Sequence, residues 1–222
     1  MRLSRFSVEQ NAVVRSKVAS TFSSVWLRLY VWMKMVIVPY EQISRFVPKN
    51  GEILDIGCGY GVLSIFLALE SFNRRVLGID PNSSRIRAVE QLATRKTSNA
   101  VFRSVDVASQ KGSIFDCVVM EEVLHHVPKD EQQCVLNTVA SILAQTGVFI
   151  LRENNKRLSF RYILVNLPAE YLLYPTEEKA NFRTNEELVV MLRKAEFDCQ
   201  IIPAPWYSLV DISIFVCRKL NI

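Results

Sequence analysis

The chain reads as a doubly wound, three-layer α/β domain: a seven-stranded, mostly parallel sheet closed by an antiparallel hairpin at its C-terminal edge. Three observations lead there. Short β-rich segments alternate with helical stretches from residue 52 onward; four of the connections are long enough to carry the chain back over the sheet; and the last connection holds prolines instead of a helix. Half of the 222 residues are apolar and 22% are charged, with only seven glycines and eight prolines. That is the composition of a folded chain, and its length suits a single core.

Strands are predicted over Glu52 to Ile56, Arg75 to Asp80, Ala100 to Asp106, Ile114 to Met120 and Val148 to Arg152. Between them, Val62 to Glu70 is a dense apolar helix and Ser83 to Arg95 an amphipathic one. Asp130 with Gln133 three residues on opens a helix to Leu143, with Gly147 shortly beyond, and Thr184 with Glu187 opens another to about Lys194. Phe197 to Ile202 and Asp211 to Cys217 follow, separated by Pro203, Pro205 and Trp206, and pair as the edge hairpin. Residues 1–48 form a basic, amphipathic helical arm ahead of a body at 49–222. Within the arm, Val25 to Val38 is apolar on every side of a helix except at Arg28 and Lys34, so it must be buried against something. Within the body, an apolar cap insertion at about 155–182 carries Phe160, Tyr162, Tyr171 and Tyr174.

The net charge of +5 lies entirely in residues 1–40, where Arg2, Arg5, Arg15, Lys17, Arg28 and Lys34 face Glu9 alone; the remainder is balanced, with 21 basic and 21 acidic residues. A neutral body offers no broad basic face for nucleic acid, so DNA is excluded as a partner and RNA is disfavoured. No apolar run approaches the roughly 20 residues that span a bilayer, and the first residues lack a secretory h-region. Five cysteines, an odd number with no CxxC pair, point to reduced thiols in a cytoplasmic protein and away from a disulfide framework or a zinc site.

Four of the seven glycines, Gly51, Gly57, Gly59 and Gly61, fall within eleven residues. The stretch Ile53 to Gly61 is a buried strand, a Gly-rich turn and the start of a helix, an arrangement that admits a nucleotide-like ligand to the backbone at the sheet's carboxyl edge. Val62 stands beyond Gly61, so the dinucleotide spacing GxGxxG is not met, and no Gly-Lys-Ser/Thr phosphate loop is present. Asp55 ends the strand two residues before the first glycine, which repels a pyrophosphate and suits a ligand bearing an ammonium. A sulfonium cofactor without phosphate, S-adenosylmethionine, meets both conditions.

These motifs resemble those of class I S-adenosylmethionine-dependent methyltransferases, which have a Rossmann-like fold. The resemblance covers residues 50–152 by motif and the rest by strand pattern. It implies that the loop Asp55, Gly57, Cys58, Gly59 and Gly61 wraps the methionine portion of the cofactor. It further implies that Asp80, followed by Pro81, accepts from the ribose hydroxyls, and that Asp106 with Val107 takes the adenine amino group. Phe115 to Met120 matches the fourth strand, and Glu121 at its end belongs with the cofactor residues.

Methyl transfer demands alignment and, for an oxygen or a protonated nitrogen, a base. The only two histidines, His125 and His126, directly follow the fourth strand, and His126 occupies the histidine position usual in the family. His126 is therefore the expected base and His125 the alternative. Glu121, Glu122, His125 and His126 also resemble the metal-binding E-x-x-E-H of small-RNA 2′-O-methyltransferases and ubiquinone-pathway O-methyltransferases. His125 replaces the second glutamate, which is unsuited to a hard cation, and no metal is assigned.

No Asn/Asp-Pro-Pro-Tyr follows the fourth strand, as base amino methylation would require, and Cys117 lies within a strand where it reads as core. The expected acceptor is a hydrophobic small molecule or lipid-like compound. The rivals are an RNA 2′-O-methyltransferase, a protein methyltransferase and a non-catalytic cofactor-binding scaffold. The tryptophan-bearing arm is the expected point of peripheral contact with a membrane surface.

Overall fold

Alternation within the central strands decides the layers. A computed structural model of the chain describes residues 13–20, 25–38, 40–93, 97–154, 181–202 and 212–220. In strand β1 (Gly51–Ile56), Ile53 joins one apolar cluster and Leu54 the other, because successive side chains point to opposite faces. Strands β4 (Phe115–Glu121) and β5 (Leu143–Asn154) repeat the pattern: Cys117, Val119 and Ile150 face one way, Val118, Met120 and Leu151 the other. A strand buried on both faces reads as an unbroken apolar run, which is why these segments stood out in the sequence.

The first face is covered by helices α1 (Val25–Ile37), α2 (Tyr40–Ser44), α3 (Val62–Glu70) and α4 (Ser83–Ala93), together with the helical residues 13–20. The second is covered by α5 (Gln132–Ile142) and α6 (Asn185–Lys194). With β2 (Arg74–Ile79), β3 (Ala100–Arg103), β6 (Phe197–Ile202) and β7 (Ile212–Lys219), the sheet order is β3-β2-β1-β4-β5-β7-β6. All pairings from β3 to β5 are parallel, and β7 runs antiparallel to both β5 and β6. The expected fold class and the edge hairpin are both present, with β7 lying inside β6.

Several local expectations need correction. The sheet's third strand stops at Arg103, short of Asp106. Helix α5 is not opened by an Asp130/Gln133 box: Glu131 is the cap residue in helical conformation with no side-chain bond, and the Gln133 amide goes to Asn137 and to the Met191 carbonyl. β5 begins at Leu143, directly after α5, so Gly147 lies inside a strand. The Thr184/Glu187 capping box is present, with both reciprocal bonds formed.

Cys199 and Cys217 stand opposite each other in the β6–β7 register, their Cα atoms 4.1 Å apart, and they are joined as a disulfide. This contradicts the expectation of five reduced thiols. Count and spacing along the chain carry no information about which strands become neighbours. Cys58, Cys117 and Cys134 are free, and Cys117 is core as expected.

The arm packs against the body. Val31, Met35 and Val38 are buried in the first core, and Arg15 pairs with Glu41 at 2.5 Å. The helix is not enclosed on all sides, however: Val25, Leu29 and Trp32 are 76%, 48% and 58% exposed. Of the cap expected at about 155–182, residues 155–180, with Phe160, Tyr162, Tyr171 and Tyr174, lie outside the described residues. Among the described residues, no helix is long and apolar enough to cross a membrane.

Candidate functional site

The glycine loop joins β1 to α3 through three residues in the left-handed region. Gly57 has φ 69°, and a Cβ there would run into the Val123 side chain; Gly61 has φ 70°, and a Cβ would meet Phe102 and Val89. Both are therefore required by the fold itself. Gly59 differs. It has φ 55° but a Cβ would meet nothing within 4 Å, so the loop is bordered there by open space in which a ligand can approach the backbone. Buried Cys58 ties the loop down, its N–H donating to the Ile79 carbonyl at 3.0 Å.

Asp80, directly beyond β2, is buried with both oxygens directed at backbone. Oδ2 accepts from the Gly59 N–H at 2.9 Å and Oδ1 from the Asn82 N–H at 2.8 Å. Asn82, in turn, caps α4 by accepting from Ser84 and Arg85, so Asp80 is not that helix's cap. Pro81 is exposed, and its carbonyl accepts from Ser104. Asp106 is exposed and caps the short 3₁₀ turn Val107–Gln110 through the Ser109 N–H at 3.1 Å. Asp106 thus has a structural task already, whatever else it does.

Asp55 is buried under the loop and accepts from the Ser64 hydroxyl at 2.5 Å. Burial pushes its carboxyl up to about 7, against the Ser64 bond; the neighbouring acids Glu121 and Asp80 raise it further, and Lys34 counters them. Glu121, at the end of β4, is likewise buried, and burial raises it although Lys34 and Arg152 oppose the shift. Both shifts have one cause: at the carboxyl edge these two acids are buried with less positive charge beside them than their ionised forms require.

Sequence reasoning overlooked the cations here. Lys34 of α1 reaches Glu121 at 3.9 Å, and buried Arg152 of β5 lies 3.3 Å from Glu121 and also pairs with Glu122. Glu121 sits opposite Arg152 in the β4–β5 register, a pairing invisible before the strand order is known. Among the described residues, no group of three His, Cys, Asp or Glu side chains is arranged to hold a metal. Both glutamates are instead engaged by a guanidinium.

The two histidines lie on the 3₁₀ turn Leu124–His126 and meet different fates. His125 is 4% exposed, with Nδ1 2.7 Å from Glu153 Oε2 and its ring stacked on Phe182 at 4.7 Å. His126 is exposed, its ring 4.1 Å from that of His125. Glu153, also missed by sequence reasoning, is buried near the end of β5. Loop, acids and histidines all gather at the carboxyl ends of β1, β2, β4 and β5, where α/β sheets bind ligands.

Residues 38–200 match the profile of a methyltransferase domain family, Methyltransf_23. The chain belongs to this family. Its fold, sheet order and motifs are those of the S-adenosylmethionine-dependent class. It is 29% identical over 215 residues to a ubiquinone biosynthesis O-methyltransferase of Rickettsia felis, covering 88% of this chain and 83% of the relative. Among solved structures, a 1,6-didemethyltoxoflavin-N1-methyltransferase of Burkholderia thailandensis superposes with a TM-score of 0.65 at 21% identity, over 100% of this chain and 93% of that one. The mitomycin 7-O-methyltransferase MmcR gives a TM-score of 0.68 at 16% identity, over 87% of this chain and 56% of that one. These two likenesses speak for the fold.

Proposed function

We propose that this methyltransferase transfers the methyl group of S-adenosylmethionine to an oxygen or nitrogen of a small apolar acceptor, with His126 as general base. The observation that carries the role of His126 is its contrast with its neighbour: on the turn leaving β4, one imidazole is anchored and buried, and the other is left exposed. The similar proteins are named for small acceptors, methylated on oxygen in two cases and on nitrogen in one.

When bound, the cofactor supplies a methyl group on a sulfonium, activated for in-line displacement. The chain's own residues hold and align. Gly59 admits the cofactor to the loop backbone, Asp80 receives the ribose hydroxyls, and Asp106 with Val107 meets the adenine. Asp55 and Glu121 face the cationic end, and His126 takes the acceptor's proton at a ring nitrogen as the new bond forms.

Incubation with methyl-labelled cofactor and fractionated extract tests this reading. Label is expected in small apolar molecules; label in RNA or polypeptide would replace the acceptor class. His126→Ala is expected to lower turnover by about 10²- to 10⁴-fold with cofactor affinity kept. Full activity in that variant, with loss in His125→Ala, would move the base to His125.

We also propose α1 as a peripheral contact with anionic membrane. Its inner face, Val31 and Met35, belongs to the core, and its Lys34 is turned to Glu121. Its outer face sets exposed Val25, Leu29 and Trp32 at i, i+4 and i+7 with Arg28 beside them. Vesicle sedimentation is expected to rise with anionic lipid, fall with salt and drop in Arg28→Glu. A chain that stays in the supernatant at low salt removes the membrane from the account.

A further inference from the structure

Both carboxylate oxygens of Glu153 are directed at one target, the turn that carries the two histidines. Oε1 accepts from the Val123 N–H at 2.9 Å and the Leu124 N–H at 2.7 Å, and Oε2 lies 2.7 Å from His125 Nδ1. The turn needs an external anchor. It is entered through Glu122 at φ 54°, a conformation that L side chains resist, and Val123 offers no side-chain cap. β5, paired on one side with β4 and on the other with β7, provides the rigid platform for that anchor.

We propose that Glu153 is a positioning residue for methyl transfer, acting through His125 to set the ring of His126. The chemistry follows from the donor set. With both amides on Oε1, a carboxylate oxygen at Oε2 has only lone pairs to offer the ring, so the proposal puts the His125 ring hydrogen on Nδ1. The His125 ring is then fixed between Phe182 at 4.7 Å and His126 at 4.1 Å, and its carbonyl accepts from the Asn181 N–H at 2.7 Å. His126 lies against a ring that Glu153 holds at Nδ1. This rests on the function proposed above and adds to it a reason for two adjacent histidines: one is the base and the other its support.

Other charges also face this pair. Glu122 is on the same turn, its carboxylate engaged by Arg152, and Arg183 lines the crevice beside His125 but is directed at Gln132 and the Lys129 carbonyl. Only Glu153 bonds an imidazole directly among these.

The chain holds two histidines in total, so the imidazole spectrum of protein labelled with ¹⁵N-histidine contains two rings, assigned by the one lost in His125→Phe. In the native protein the His125 ring is expected as the Nδ1–H form. In Glu153→Gln the amide oxygen can keep both backbone bonds while its NH₂ faces Nδ1, which moves the His125 hydrogen to Nε2. The His126 resonances are expected to shift with it, and His126 to titrate lower by roughly half a pH unit or more, because an anion has left the ring pair. If His125 keeps its form, or if it changes while His126 does not respond, the proposal is overturned and Glu153 is a fastener of the turn alone. Should Glu153→Gln fail to fold, His125→Phe decides: His126 resonances identical to native overturn the proposal, and displaced ones uphold it. Calorimetry with S-adenosylhomocysteine on the same samples tests the methyltransferase reading separately, since ring tautomers do not depend on cofactor binding.

Discussion

At the two edges of the sheet, Glu70 is partly and Asp55 fully withdrawn from water, and the two are treated in opposite ways. At the amino edge, fully buried Arg74 donates to Glu70 and to the carbonyls of Val47, Pro48 and Leu67, while Ser44 and Lys49 also reach Glu70. Burial acts to raise the Glu70 carboxyl, but these donors outweigh it and hold it below the usual range. At the carboxyl edge, Asp55 has the Ser64 hydroxyl, and burial lifts it to about 7. An acid matched by donors is a fastener. An acid buried with too little positive charge would gain from a cation that arrives from outside, which is the role proposed for Asp55.

The sharpest way to break this contrast is Arg74→Met. It would leave Glu70 without its buried guanidinium and three carbonyls without their donor, so a loss of about 3–5 kcal/mol in urea unfolding is expected. A loss under about 1 kcal/mol would mean the amino edge is no fastener.

The pH dependence of the unliganded chain comes next. The Asp55 proton is held more tightly in the folded chain than at its ordinary value of 3.8. Its stabilisation is therefore complete below that value and is lost as pH rises through about 7. Burial gives Glu121 the same sign. Thermal unfolding without ligand should show stability falling between about pH 4 and about pH 7, by no more than about 1.4 kcal/mol for each pH step of one between the ordinary and the folded value, and levelling off above. Affinity for S-adenosylhomocysteine, which carries an ammonium, should rise over the same window. Asp55→Asn should flatten both trends; slopes equal to native in that variant would separate the acid from the site.

The smallest expected effect is Asp80→Ala. Removing the carboxylate should weaken S-adenosylhomocysteine by about 1–3 kcal/mol in calorimetry. Because Asp80 also holds the Gly59 and Asn82 amides, some loss of thermal stability should accompany it. A folded variant with native affinity would restrict Asp80 to the loop.

Much of the carboxyl edge was legible in advance because its signals are local. Gly57 and Gly61 need positive φ and the absence of a Cβ, which only glycine supplies, and Asp55 and Asp80 stand at the close of short apolar stretches, Ile53 to Ile56 and Val76 to Ile79. The Thr184/Glu187 box spans four residues and formed as written, whereas Asp130/Gln133 did not, since Pro128 already accepts from the Glu131 and Gln132 amides through its carbonyl. Apolarity in α1 announced burial but not which face is buried. Val31 and Met35 go inward and Trp32 outward because the sheet offers the helix one side only.

By itself, then, the sequence determined the layered α/β architecture, the glycine loop and the motif resemblance to a methyltransferase, because periodicity, steric demand and motif order are all properties of contiguous residues. Tertiary structure alone decided the partners across elements. Arg152 stands beside Glu121 because β4 and β5 are neighbours in that register, and Cys199 meets Cys217 because β6 and β7 are. Lys34 enters the acid cluster because α1 folds back over the sheet, and Glu153 meets His125, the buried one of two adjacent histidines, because β5 ends beside their turn. Each of these pairs joins residues at least 18 positions apart in the chain, His125 and Glu153 being 28 apart and Cys199 and Cys217 being 18 apart. Contacts of that kind are set by which strands and helices pack together, and no short window of sequence contains them.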